Sequence, residues 1–432
     1  MIRYRNLRVA LLGAGNVGAE VARLLTEQRE ELASRIGAEL ELVGVAVRDA
    51  SKPRPGVPQE LLTEDAEALI HGADIVIELI GGIEPARTLI LQALGSGADV
   101  ITGNKALLAA HGPELFAAAE QVGAQLYYEA AVGGAIPIIR PLRDSLAGDR
   151  VKRILGIVNG TTNYILDRID SFGDSAEAAL AKATELGYAE ADPTADIEGF
   201  DAAQKASILA SLAFHTTVPE SAVHREGITK VTLEQAQAAR RAGYVIKLLA
   251  IAERIVQDNG DEAVSVRVHP SLISLKHPLA SVRGAYNAIF VEAEAAGQLM
   301  FYGAGAGGTQ TASAVLGDVV SAARRHLAGG PGVAESTNGA LPILGIEAVT
   351  TRYQITLRVV DQPGVLAEVA AIFRDLGVSV EAVEQTTLDD APDATLVVVT
   401  HAALEADLAK TVERLRGSAV VSEVSSVLRV EG

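Results

Sequence analysis

The sequence predicts an α/β chain with a doubly wound parallel sheet at its N-terminus, an α+β middle and a C-terminal βαββαβ unit. Three observations carry this. At 432 residues the chain is too long for one ordinary core, so two or three domains are expected. Short apolar runs alternate with helical patterns over the first 130 residues, as in a parallel sheet with helices on both faces. The last eighty residues read strand, helix, strand, strand, helix, strand.

Leu7–Leu12 is an apolar run ending in Gly13-Ala14-Gly15-Asn16-Val17-Gly18, after which Val17, Val21, Leu24 and Leu25 mark one helical face. Strand, glycine turn and helix form the context that a G-x-G-x-x-G match needs. Gly13 permits the tight turn, Gly15 lets the backbone approach a pyrophosphate, and Gly18 lets the helix pack on the strand. The pyrophosphate would sit at the helix N-terminus, where free N–H groups favour an anion. Further strands read at 40–47, 75–79, 100–102 and 125–128, with helices at 85–94 and 105–122 between them. This is a Rossmann-type dinucleotide fold.

The strand GVAV ends in Arg48, which suits a 2′-phosphate and so NADP, while Asp49 beside it leaves NAD open. Thr102-Gly103-Asn104-Lys105 follows the next strand but one, at the carboxyl edge where such sheets bind ligands. Lys105 opens a helix, where the dipole disfavours a cation, so a functional charge is expected there. Downstream, Glu190, Asp192, Asp196, Glu198 and Asp201 precede Lys205. Asp201 and Lys205 are either an i,i+4 surface pair or a carboxylate holding an ammonium near a carbonyl oxygen. Spacing alone leaves both readings open.

Composition narrows the function classes. Hydrophobic residues make up 49% and charged residues 21%, which is globular. The net charge of −18 repels a phosphate backbone, so nucleic-acid binding is disfavoured. Zero Cys removes disulfides, zinc-thiolate sites and thiol nucleophiles together. His215, His224, His269 and His277 show no metal-ligand spacing. No apolar run reaches the ~18 residues of a membrane span, and the N-terminus lacks a signal-peptide pattern, so a cytoplasmic protein is expected.

Taken in order, the glycine motif, TGNK at 102–105, YEAAVGGAIPII at 128–139, NGTTNYIL at 159–166 and GYAEADPTADIEGFDAAQK at 187–205 resemble homoserine dehydrogenase. The resemblance implies an NADP(H)-linked interconversion of L-aspartate 4-semialdehyde and L-homoserine in threonine, methionine and isoleucine biosynthesis. It puts the acidic substrate-binding residue on Glu190, a further acid on Asp196, the catalytic pair on Asp201 and Lys205, and the second active-site lysine on Lys105. The implied cofactor contacts are Gly13–Gly18, Arg48, Thr102, Lys105 and Gly303, the last in the Gly-rich turn FYGAGAGG. Asn16 departs from the Thr of many members. The loop after Tyr128 is implied to bind a monovalent cation, sodium, through Glu129, Val132, Gly134 and Ile136.

The expected domains are 1–135, completed by about 300–327, for the nucleotide, and 136–300 for substrate and oligomerisation. A linker over 328–348 and a regulatory domain over 349–432 follow. The turn Asp361-x-Pro363-Gly364-Val365-Leu366 in this ferredoxin-like unit resembles the ACT domain, which implies an effector, L-threonine, at Gln362–Leu366 and a homodimer or homotetramer. An oligomerisation domain without ligand is the plainer alternative. For the whole chain, the alternatives are a non-catalytic amino-acid sensor or a reductase of another small oxo acid.

Overall fold

Six parallel strands form the N-terminal sheet: β1 (Leu7–Leu12), β2 (Leu40–Ala46), β3 (Leu62–Thr63), β4 (Ile75–Glu78), β5 (Asp99–Thr102) and β6 (Leu126–Tyr127), in the order β3-β2-β1-β4-β5-β6. This computed structural model describes residues 5–332, 335, 339–387 and 393–431. Both faces of the sheet are covered, so β4 and β5 are buried at every position and carry polar residues only at their ends, Glu78 in β4 and Asp99 and Thr102 in β5. Helix α1 (Asn16–Glu27) buries Val21, Ala22, Leu24 and Leu25 in the same core as Val9, Leu11, Ile75 and Ile77. The late helix Gly308–Ala328 returns to that core with Ala312, Val315, Val319 and Ala323.

The helix opening at Lys105 runs to Val122, bounded by the Asn104 side chain, which accepts from Leu107 N at 3.2 Å, and by left-handed Gly123. The expected bounds 105–122 match those observed.

The described chain divides into two units. One comprises Met1–Gly160, Asp201–Ser221 and Ala285–Leu341; the other comprises Thr161–Phe200, Ala222–Gly284 and Pro342–Gly432. In the first, Val151–Ile157, Tyr286–Ala293 and Gly297–Ala304 pair antiparallel, and the Phe200–Phe214 helix is buried along most of its length. In the second, Tyr244–Val256 and Glu262–Ser274 form a long antiparallel pair. Ser271–Ile273 also pairs parallel with Arg429–Glu431, joining this hairpin to the C-terminal sheet.

That sheet continues through Val421–Glu431, Thr350–Val360, Asp393–Thr400 and Val380–Thr387, all antiparallel. Helices Val365–Asp375 and Glu405–Arg416 share a core with it through Val369, Ile372, Phe373, Leu408, Val412 and Leu415. The βαββαβ order is the one the sequence predicts. A short strand, Ala403–Leu404, pairing Thr350–Thr351, was not foreseen.

Parts of the expected linker, 333–334 and 336–338, lie outside the described residues, as does Leu388, with which the second strand expected in the C-terminal unit would end. The rest of the linker is tied down. Gly332 N donates to Gly123 O, Gly339 N to His215 O, and Leu344 N to Val264 O. Among the described residues no helix is long and apolar enough to cross a membrane.

Candidate active site

The three glycines of the first turn differ in the way their expected roles require. Gly13 has φ +101°, and a Cβ there would lie 2.7 Å from Leu79 O. A Cβ on Gly18 would lie 2.1 Å from Gly13 O. Around Gly15, the N-cap of α1, nothing lies within 4 Å of such an atom, and no side chain caps the helix. The turn is closed where it packs and open where a phosphate would approach uncapped N–H groups, so these residues fit a dinucleotide. Ala14 is buried, Asn16 is exposed, and Val17 packs against the core.

Past β2, Arg48 is exposed and makes no hydrogen bond or ion pair among the described residues. Asp49 is occupied: it accepts from Ser51 N at 3.1 Å and Ser51 Oγ at 2.6 Å, and pairs with Lys52 at 3.1 Å. Gly303 pairs with Asn287 across the hairpin, and a Cβ there would meet Ile136 at 3.2 Å.

The catalytic candidates converge within the first unit. Lys205 Nζ donates to Asp201 Oδ2 and to Val158 O, each at 2.7 Å. Asn159 Nδ2 donates to the same Asp201 oxygen at 2.8 Å, and Lys105 Nζ pairs with Oδ1 at 3.1 Å. The Asp201 and Lys205 side chains are only 10% and 11% exposed, so this is no surface pair, while Lys105 is 40% exposed. Burial pushes the Asp201 carboxyl up, but the charges of Lys205 and Lys105, with hydrogen bonds from Lys205 and Asn159, hold it well below the usual carboxylate range. One fixed carboxylate thus orients two ammonium groups, an arrangement suited to stabilising and protonating a developing alkoxide.

Glu190 and Asp196 belong to the second unit. Glu190 is exposed on the loop before the short helix Thr194–Ile197, which carries half-buried Asp196. The turn expected to bind an effector lies in the same unit, with Gly364 at φ +96° as N-cap of its helix and Leu366 48% exposed. Gln362 and Pro363 are exposed, whereas Val365 is buried.

Two of the expected side chains already have partners within the protein. The Thr102 hydroxyl, expected at the cofactor, is fully buried, donates to Glu78 Oε2 at 2.6 Å and accepts from Asn104 N at 3.0 Å. The Glu129 carboxylate, expected on a cation, is buried and already accepts four bonds. These come from the backbone of Ile138 at 2.5 Å, Ile139 at 2.8 Å and Arg140 at 3.0 Å, and from Arg140 Nε at 2.9 Å. With those donors in place it has no lone pair facing a metal. Only backbone carbonyls of the 129–136 loop, turned by left-handed Gly133 and Gly134, remain suitable for a hard cation. Among the described residues no group of three His, Asp or Glu is poised for a metal.

Asn159 and the Val158 carbonyl were missed as site residues, although Asn159 opens the NGTTNYIL motif. Its nearness to Asp201, 42 positions away, leaves no trace in spacing.

Known proteins align with this geometry along the whole chain. The family described as "Homoserine dehydrogenase" matches residues 137–320, "Homoserine dehydrogenase, NAD binding domain" matches 13–129, and "ACT domain" matches 353–418. A homoserine dehydrogenase of Corynebacterium glutamicum is 57% identical over 425 residues, covering 98% of this chain and 95% of the relative. One of Mycobacterium tuberculosis is 54% identical over 430 residues, covering 98% and 97%. The crystal structure of a homoserine dehydrogenase from Thiobacillus denitrificans superimposes with a TM-score of 0.91 at 38% identity, covering 100% of this chain and 99% of that one. A hyperthermophilic archaeal homoserine dehydrogenase mutant, solved in complex with NADPH, gives 0.62 at 27% identity over 73% of this chain and 97% of that one.

Proposed function

The chain belongs to the homoserine dehydrogenase family of NAD(P)-dependent oxidoreductases, and from that premise we propose that it interconverts L-aspartate 4-semialdehyde and L-homoserine with NADP(H). The carrying observation is the buried Asp201 carboxylate shared by Lys205 and Lys105. The bound cofactor supplies or accepts the hydride. In the reducing direction Lys205 gives a proton to the alkoxide oxygen as it forms, and Asp201 keeps the ammonium aimed. Lys105 adds a second positive charge near that oxygen. Asn159 holds the carboxylate by donating to the oxygen that accepts from Lys205. Glu190 is proposed for the substrate ammonium and Asp196 for a position beside it, both on the strength of the family motif. A non-catalytic sensor has no use for this set.

Lys205→Ala should lower kcat by roughly 10²–10⁴-fold, the usual worth of a proton-transferring group. A folded variant with near-normal kcat would refute the assignment. Rates with homoserine against other hydroxy amino acids test the substrate.

Arg48, exposed and without a partner among the described residues, supports NADP over NAD, since Asp49 is already committed to Ser51 and Lys52. A monovalent cation, sodium by resemblance, is proposed on the carbonyls of Glu129, Val132, Gly134 and Ile136. For the C-terminal domain we propose homo-oligomers, dimeric or tetrameric, inhibited by L-threonine at Gln362–Leu366. Left-handed Gly364 exposes the turn's backbone to a carboxylate. Inhibition requires that threonine bind the less active state more tightly. Gly364→Val should therefore abolish threonine inhibition while leaving kcat unchanged. A full-length enzyme indifferent to millimolar threonine would leave that domain with assembly alone. The cytoplasm is the proposed location.

A further inference from the structure

Glu78 is the last residue of β4 and is fully buried, yet the reaction as described makes no use of it. Its Oε1 accepts from Ile80 N at 2.7 Å and Gly81 N at 3.2 Å, and its Oε2 accepts the Thr102 hydroxyl at 2.6 Å. All three donors are neutral. Burying a carboxylate among neutral donors costs more than burying an amide of the same shape, so the charge needs a reason. Geometry supplies one. Thr102, register partner of Glu78 across the sheet, accepts in turn from Asn104 N at 3.0 Å. Asn104 Nδ2 donates to Gly82 O at 2.6 Å, while its Oδ1 caps the Lys105 helix through Leu107 N. The chain of bonds clamps the turn after β4 to the residue before Lys105.

We propose that Glu78 is a positioning residue for Lys105, acting through Thr102 and Asn104; this rests on the role given to Lys105 above. A carboxylate can accept on both oxygens at once. Glutamine cannot: with its oxygen on Ile80 and Gly81, its amide N–H faces the Thr102 hydroxyl proton. The hydroxyl must then turn away, and Asn104 loses its fixed acceptor. The bracket loosens at the first turn of the Lys105 helix, where a small tilt displaces the distant ammonium.

A double-mutant cycle on the full-length enzyme tests this, with NADPH affinity by fluorescence confirming a folded nucleotide site in each variant. Glu78→Gln should lower kcat roughly 10-fold or more in the native background, about what one lost buried hydrogen bond is worth. In a Lys105→Ala background the same change should cost less than about twofold, because the group it positions is gone. Thr102→Val, which breaks the bracket without touching Ile80 or Gly81, should reproduce both results. Equal penalties in the two backgrounds would overturn the proposal and assign Glu78 to the fold or the nucleotide turn. If Lys105→Ala alone left kcat unchanged, the role of Lys105 would fail first and this inference with it. A loss in Lys105→Ala with equal Glu78→Gln penalties would overturn the inference alone.

Discussion

Replacing Asp201 by asparagine should damage stability and catalysis together, and a second substitution should repair only the first. The carboxylate has Lys205 at 2.7 Å and Lys105 at 3.1 Å, so neutralising it leaves two ammonium groups facing an amide. Removing one partner of a buried pair typically costs 3–5 kcal/mol, because the other charge stays desolvated. Lys105, at 40% exposure, can swing into water, whereas Lys205, at 11%, cannot; the lower end, about 3 kcal/mol, is therefore expected. By the usual scaling of 2–4 °C per kcal/mol this is roughly 6–12 °C in Tm for a unit of this size. Lys205→Met alone should cost less, because Asp201 keeps Lys105. The double variant Asp201→Asn/Lys205→Met should melt above Asp201→Asn yet remain as inactive as either parent. Calorimetry of the cofactor-free protein and initial rates with homoserine measure both effects. The Asp201 carboxyl titrates below its ordinary 3.8 when folded, so its stabilisation is complete above that value and lost as pH falls below it. The gap between wild type and Asp201→Asn should persist from pH 9 to 5 and close only under acid. A double variant no more stable than Asp201→Asn would refute the argument that Lys205 is left uncompensated.

Arg48→Ala should raise KM for NADPH far more than for NADH; equal effects would remove Arg48 from the 2′-phosphate. Gly15→Val should bind NADPH poorly at an unchanged Tm, because nothing lies within 4 Å of the new Cβ, whereas Gly18→Ala, whose Cβ falls 2.1 Å from Gly13 O, should lose stability as well. The two glycines behaving alike in melting experiments would contradict that division. Burial pushes the Asp318 carboxyl up to about 7 against the opposing charge of Arg140. The folded state then holds this proton more tightly than the unfolded chain, and stability falls as pH rises from about 4 to 7, by up to roughly 1.4 kcal/mol per pH unit. Asp318→Asn should remove that slope, its advantage over wild type growing to pH 7 and levelling above; a pH-independent difference would show that the carboxyl titrates normally.

The nucleotide sheet was legible because each of its cues is local. A buried parallel strand is an apolar run, and a helix between Asn104 and Gly123 carries its own cap and stop signal. The long hairpin of the second unit, Tyr244–Val256 with Glu262–Ser274, is less legible. Lys247, Arg267, His269 and Ser271 are all buried within its two strands and break the apolar pattern. His269 and Ser271 bond to each other at 2.9 Å, whereas the two cations are tolerated because of partners distant in sequence. Lys247 donates to Asn163 Oδ1 at 2.9 Å and Val282 O at 2.5 Å, and Arg267 pairs with Glu253 at 2.9 Å and Glu431 at 3.2 Å. Tertiary pairing of this kind overrides the hydrophobic period and cannot be seen one segment at a time.

The site follows the same physics at closer range. Asp201 and Lys205 are one helical turn apart, and that spacing describes a solvated surface pair as well as a catalytic one. What separates the readings is burial, and the burial comes from residues far away in the chain. The Val158 carbonyl and Asn159 side chain follow the strand Val151–Ile157, and Lys105 follows β5. Two segments remote in sequence therefore each bring a donor to one carboxylate, and one of them also accepts from Lys205. Near the surface such an arrangement would be worth little, since exposed ion pairs contribute at most about 1 kcal/mol. Desolvated, it fixes the direction in which a proton can leave Lys205. The family motifs mark where these segments are, but only the fold brings them to a single oxygen pair, and a substitution at Asn159 should accordingly be felt in kcat before it is felt in substrate binding.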